Sequence, residues 1–124
     1  MPRRFISIGS LGSLAYQRRW CVNGTVETGW VDLYELVETT IHAAKHKATH
    51  PVLSTDLSVA QREALIRFHD RVDTLYGLIP WRDPSVSIAD IVERNPAMQQ
   101  IRDAANECLR ELGVSFTEEE LMED

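Results

Sequence analysis

The chain is 124 residues long, with 44% hydrophobic and 26% charged residues and a formal net charge of −6. That length suits one domain with one core and the composition suits a globular chain, while no apolar run approaches the ~20 residues a membrane helix needs. The excess of acid disfavours direct binding to nucleic acid phosphates and favours a basic partner.

The charge is unevenly placed. The first 26 residues contain four arginines and no acid, whereas from Arg82 onward eleven carboxylates face four arginines. At the N-terminus, Arg3-Arg4 precede Phe5-Ile6-Ser7-Ile8, but Gly9, Ser10, Gly12 and Ser13 interrupt any apolar stretch of the kind a signal peptide carries. Two cysteines, Cys21 and Cys108, suit neither a zinc quartet nor a disulfide framework, and reduced thiols in a cytoplasmic setting are the expectation.

In chain order, residues 15 to 30 read as a β-hairpin, because Asn23-Gly24 supplies the two positive-φ positions of a type I′ turn between Trp20-Cys21-Val22 and Thr25-Val26-Glu27. Phe5 to Ile8 could add a third strand, and Trp20 and Trp30 would fill the hairpin core. Leu11, Leu14 and Ala15 support a competing short helix before Trp20.

A long helix is expected over Val31 to Ala48, with Leu33, Leu36, Val37, Thr40, Ile41, Ala44 and Ala48 at helical spacing and Pro51 helping to stop it. The next, Val59 to Tyr76, is opened by the capping box Ser58-x-x-Gln61 and closed at Gly77, with Leu65, Phe68, Val72 and Leu75 as its stripe. Ser87 starts a short helix from Ile88 to Arg94, and Asn95-Pro96 ends it and caps another. Met98, Ile101, Ala105, Cys108 and Leu112 form that helix's stripe and Gly113 closes it. Thr117-x-x-Glu120 is a second capping box, with Phe116 and Leu121 placed as a hydrophobic staple.

The expected fold is therefore mainly α (α+β): a small N-terminal β-hairpin or sheet packed on a bundle of three to five helices. It forms a single domain, residues 1–124, with a hairpin region to about residue 30 and a helical region with an acidic end beyond it. No repeat, low-complexity segment or linker interrupts it.

Three constellations invite a functional reading. Asp103, Glu107 and Glu111 recur at i, i+4 and i+8, where like charges repel by a few tenths of a kcal/mol per pair. They offer either a solvated face or, with Glu118, Glu119 and Glu120, a docking surface for a basic partner. Trp81, on the stiff loop Ile79-Pro80-Trp81-Arg82-Asp83-Pro84, is either an interface anchor or a loop pinned to the core. His42, His46 and His50 also fall one turn apart. His42 and His46 are a weak candidate for a metal pair, but the stripe lies opposite Leu33, Val37, Ile41 and Ala44 and should face solvent.

Two short patterns are similar to enzyme motifs. Arg62-x6-His69, within Arg62-Glu63-Ala64-Leu65-Ile66-Arg67-Phe68-His69, resembles the R-x4-6-H signature of the HEPN superfamily of helical ribonucleases, which implies metal-independent RNA cleavage by Arg62 and His69. The local alternative is a salt-bridged helix in which Glu63 pairs with Arg67. Glu35-x-x-Glu38 with Asp70-x-x-Asp73 resembles the paired acidic motifs of MazG-like nucleotide pyrophosphatases, which implies magnesium held by those four carboxylates.

Taken together, these features predict a non-enzymatic, cytoplasmic protein-binding module that turns an acidic helical surface to a basic protein, with no cofactor and no membrane or direct nucleic acid partner. Its most concrete form is a bacterial immunity-type inhibitor that neutralises a cognate nuclease toxin. The alternatives are one of the two helical enzymes, or a structural homo-oligomer joined through heptad-like stripes.

Overall fold

The computed structural model describes residues 4–122. Within them the chain forms seven α-helices and one π-helical segment: α1 (Ile6–Leu11), α2 (Leu14–Tyr16) running into the π segment (Gln17–Val22), α3 (Leu33–Thr49), α4 (Val59–Tyr76), α5 (Ile88–Arg94), α6 (Pro96–Leu112) and α7 (Glu118–Met122). The helical bundle is thus as expected, with more short helices than anticipated.

The expected hairpin is absent among the described residues, and the competing helix occupies its place. All that remains of strand pairing is an isolated antiparallel bridge between Thr25 and Gly29. The reason lies in burial. As a helix, this stretch buries Gln17 and Cys21 against the bundle, and Gln17 Nε2 donates to the carbonyls of Leu11 and Ser10 at 2.7 and 3.3 Å. A hairpin would leave those carbonyls at the end of α1 without that partner.

Gly24 still makes a tight reversal, since a Cβ there would lie 2.5 Å from the Trp20 carbonyl oxygen. The loop beyond it closes on itself, as Thr25 and Thr28 each donate a backbone N–H to the other's hydroxyl at 3.1 Å. The tryptophans do not fill a hairpin core. Trp20 is half-buried beneath the Arg19 guanidinium, 4.1 Å from its ring, and Trp30 is 59% exposed.

The long helices begin and end where their capping residues stand. Asp32 caps α3, Ser58 and Gln61 form the capping box of α4, Ser87 caps α5, and Asn95 caps α6 with Pro96 in the first turn. Gly113 takes the left-handed C-cap of α6 at φ 74°. Thr117 and Glu120 reciprocate in the second capping box, at 2.9 and 3.1 Å.

α3, α4 and α6 pack in sequence, with α4 in the middle, and α1 fills the space between α3 and α6. Contacts Glu38–Tyr76 and His42–His69 set α3 antiparallel to α4, and Arg67–Glu111 with Arg71–Glu107 do the same for α4 and α6. One core results, built from Leu33, Val37, Ile41, Leu65, Val72, Met98, Ile101 and Ala105. α5 lies against the π segment, and α7 against α1 and α2. No helix among the described residues is long and apolar enough to cross a membrane.

Candidate functional site

The acidic half of the chain separates into two surfaces. On α6, Glu107 and Glu111 face α4 and are already engaged: Arg71 Nη1 donates to Glu107 at 3.2 Å, and Arg67 Nη2 donates to Glu111. Arg67 therefore pairs across the helix seam, not with Glu63. Two arginines one turn apart on α4 thus sit opposite two glutamates one turn apart on α6, which offsets the repulsion expected within each helix. Asp103, at the far end of that row, accepts from Gln99 Nε2 at 3.0 Å. The four paired side chains border a crevice of about 100 Å³ floored by Ala64, Ala104 and Cys108.

The second surface is α7. Glu118, Glu119 and Glu120 are exposed, while Leu121 is buried beside Gly9 together with half-buried Phe116. A Cβ on Gly9 would approach Phe116 Cδ2 to 2.8 Å and Leu121 Cδ2 to 2.9 Å, so this close seating depends on glycine. Glu120 is committed to the capping box, while no arginine or lysine is paired with Glu118 or Glu119 among the described residues.

Trp81 is anchored. Its ring is half-buried against the core, its Nε1 donates to the Tyr76 carbonyl at 3.1 Å, and it meets Tyr34 edge-on at 5.5 Å and Tyr76 at 5.6 Å. Tyr34 and Tyr76 also touch, at 5.2 Å, and the Tyr76 hydroxyl donates to Glu38 at 3.2 Å. This aromatic trio ties the loop after α4 back onto α3.

The histidines of α3 divide. His42 and His46 are exposed, and the His42 ring lies 6.0 Å from that of His69 on α4. His50 is half-buried, and its Nδ1 accepts from the backbone N–H groups of Val52 and Leu53, both at 3.1 Å. That nitrogen is thus a cap for the turn after α3. Among the described residues no three of the histidine, cysteine and carboxylate side chains gather into a group able to hold a metal.

Arg62 and His69 lie on one face of α4, separated by about 10 Å along the axis. His69 is buried and within 2.9 Å of Asp70, and Arg62 is half-buried. Glu35, Asp70 and Asp73 are exposed on α3 and α4, and half-buried Glu38 is taken up by Tyr76, so the four carboxylates do not converge. Burial pushes the thiols of Cys21 and Cys108 up to about 12, which leaves neither a thiolate at neutral pH.

Sequence reasoning did not single out Arg102. It is 4% exposed, and its guanidinium donates to Gln17 Oε1 at 2.8 Å, the Val92 carbonyl at 2.8 Å and Gln99 Oε1 at 3.0 Å. No carboxylate among the described residues hydrogen-bonds it, and desolvation lowers its pKa. The Arg102–Gln17 contact joins α6 and the carbonyls at the end of α1 through one chain of hydrogen bonds. An arginine inside an otherwise apolar i, i+3, i+4 stripe is the only trace of it in the sequence. Comparison with protein families, curated proteins and solved structures finds none that this chain matches.

Proposed function

We propose that this domain is a non-catalytic binding module that meets a basic protein partner through the carboxylates of α7. One observation carries the reading: Glu118 and Glu119 stand exposed, without a basic side chain paired to them among the described residues, on a helix seated against the body by Leu121. Rigid seating reduces the side-chain and backbone ordering that binding would otherwise cost. The net negative field would steer a basic surface toward it.

The α6 row contributes less than its spacing suggests, because a partner's lysines would compete with Arg67 and Arg71 for the same oxygens. The concrete form we favour is an immunity-type inhibitor whose α7 carboxylates occupy the phosphate-binding cleft of a nuclease toxin. That form draws on charge, size and the absence of a converged catalytic cluster among the described residues.

The test is affinity capture from the native host, followed by titration of the captured basic protein. Replacing Glu118, Glu119 and Glu120 by glutamine keeps the capping geometry, since glutamine also serves at that position. We expect at least a tenfold loss of affinity and a shallower salt dependence for this variant, and little change for Glu107→Gln with Glu111→Gln. Unchanged affinity in the α7 variant would reject the model.

A further inference from the structure

His50 is the C-cap of α3, and Pro51 after it turns the chain out of the helix into an extended conformation. Its backbone serves both sides of that junction. The His50 N–H donates to the His46 carbonyl, and the His50 carbonyl accepts from the N–H and the hydroxyl of Ser54, at 3.1 and 2.7 Å.

The side chain has a separate task. Its Nδ1 receives the N–H groups of Val52 and Leu53, both at 3.1 Å, and so closes the turn that carries them. Two donors on one ring nitrogen require a lone pair there, hence a neutral ring that bears its proton on Nε2. A carboxylate, amide or hydroxyl would keep its acceptor at any pH near neutral. An imidazole loses it when protonated, which ordinarily happens between about pH 8 and pH 5, and Nδ1 would then set an N–H against two others.

Nothing charged at this corner would hold the protonated ring where it stands. On α3 the His46 ring lies 5.2 Å away, and Lys47 donates to the Leu53 carbonyl and, at 2.8 Å, to Asp56. Arg4 takes the other oxygen of Asp56 at 3.0 Å. Across the antiparallel seam His42 meets His69, so Arg62, seven residues before His69, comes level with His50, eight residues after His42, with exposed Glu63 beside it. Among the described residues no carboxylate bonds His46 or His50, and Asp56 is already shared by two cations. An imidazolium is favoured instead at the carbonyl end of α3, the negative end of the helix dipole.

We propose that His50 is a proton-operated latch on the turn at residues 51–53. Neutral, it holds the amides of Val52 and Leu53; protonated, it swings toward the last carbonyls of α3 and releases them. The released tip is apolar, because Val52 and Leu53 are 69% and 42% exposed. Ser54 and Leu57 are buried and keep the far side of the loop seated, so the opening is confined to the tip.

The test follows solvent exchange of the Val52 and Leu53 amides by NMR in the full chain at about pH 7.5 and about pH 5, each expressed as protection against the intrinsic rate at that pH. Protection of both should fall roughly tenfold at the lower pH, the value of one to two hydrogen bonds, while that of the α4 amides holds. Asp56 stays ionised throughout, since its bond from Lys47 holds its carboxyl below the usual range. His50→Asn offers an amide oxygen in place of Nδ1 and takes up no proton, so both amides should keep their protection at both pH values. His46→Gln should leave the fall intact. The proposal is overturned if the native chain protects the two amides equally at both pH values, if the fall survives in His50→Asn, or if it disappears in His46→Gln. An equal fall throughout α4 would also overturn it, because protonation at the His42–His69 contact would then be parting the helices.

Discussion

α6 makes two seams of opposite character. Toward α4 it offers a regular row, with the Ala105 and Cys108 side of its stripe buried and Glu107 and Glu111 bridging outside to Arg71 and Arg67. Toward the N-terminal helices it offers one buried polar node, Arg102 with Gln17, and the Asn106 Nδ2 bond to the Gly12 carbonyl at 3.0 Å. The first seam repeats every turn and tolerates the loss of a member. The second concentrates on Arg102 and Gln17, which have no substitute, because a buried polar atom deprived of its partner has no access to water.

The contrast is sharpest at Arg102. Arg102→Ala should cost about 3 kcal/mol, since it deserts Gln17 Oε1 and the Val92 carbonyl and leaves a cavity, and urea unfolding would read it. A loss below 1 kcal/mol would mean that water replaces the guanidinium and that the node is not decisive. Next in size, Gly9→Ala should cost roughly 1–2 kcal/mol by pushing Phe116 and Leu121 outward. Hydrogen exchange in α7 should then accelerate more than in α4, which tests whether the acidic helix is seated through glycine.

Thr40→Val is expected to act in the opposite direction. The Thr40 hydroxyl is buried without a hydrogen-bond partner among the described residues. Removing it at constant shape should raise stability by about 1 kcal/mol, visible in the thermal midpoint, and an unchanged midpoint would mean the hydroxyl is solvated. On the regular seam, Arg67→Gln combined with Arg71→Gln should cost less than about 1 kcal/mol, because the pairs are solvent-exposed and screened. A larger cost would make the ion row a structural element comparable with the Arg102 node.

The smallest effect concerns pH. Hydrogen bonding from Lys47 lowers the pKa of Asp56, and hydrogen bonding from Arg18 lowers that of Glu93. A carboxylate whose folded pKa is depressed contributes stability above its unfolded value, near 4, and loses it as pH falls through the lower folded value. Thermal midpoints should therefore be insensitive to these groups between pH 7 and about pH 5 and decline below about pH 4. Asp56→Asn with Glu93→Gln should soften that decline, and an identical acid limb would show that these pairs do not couple to folding.

From residue 31 onward the local grammar of the chain was sufficient. Ser58 with Gln61, Asn95-Pro96, Gly113 and Thr117 with Glu120 mark helix ends through bonds spanning three or four residues, so the chain declares them without its tertiary context. The same stripes predicted which faces of α3, α4 and α6 are buried.

Before residue 31 the local signals competed. Asn23-Gly24 is a strong turn signal, but it closes a helix here, because Gln17 and Cys21 gain more from burial than a two-stranded ribbon could supply. The candidate surfaces divide in the same way. Spacing alone placed Glu107 and Glu111 on one face and Trp81 on a stiff loop, while only the assembled helices placed Arg67 and Arg71 opposite those glutamates and Tyr34 against that tryptophan.

The sequence by itself determined the number, limits and buried faces of the long helices, since capping and periodicity are interactions within a turn. The tertiary structure alone decided the form of the N-terminal region, the neutralisation of the α6 carboxylates, the buried arginine and the unpaired hydroxyl of Thr40. Those depend on groups as far as 85 residues apart in the chain, whose meeting no local pattern encodes.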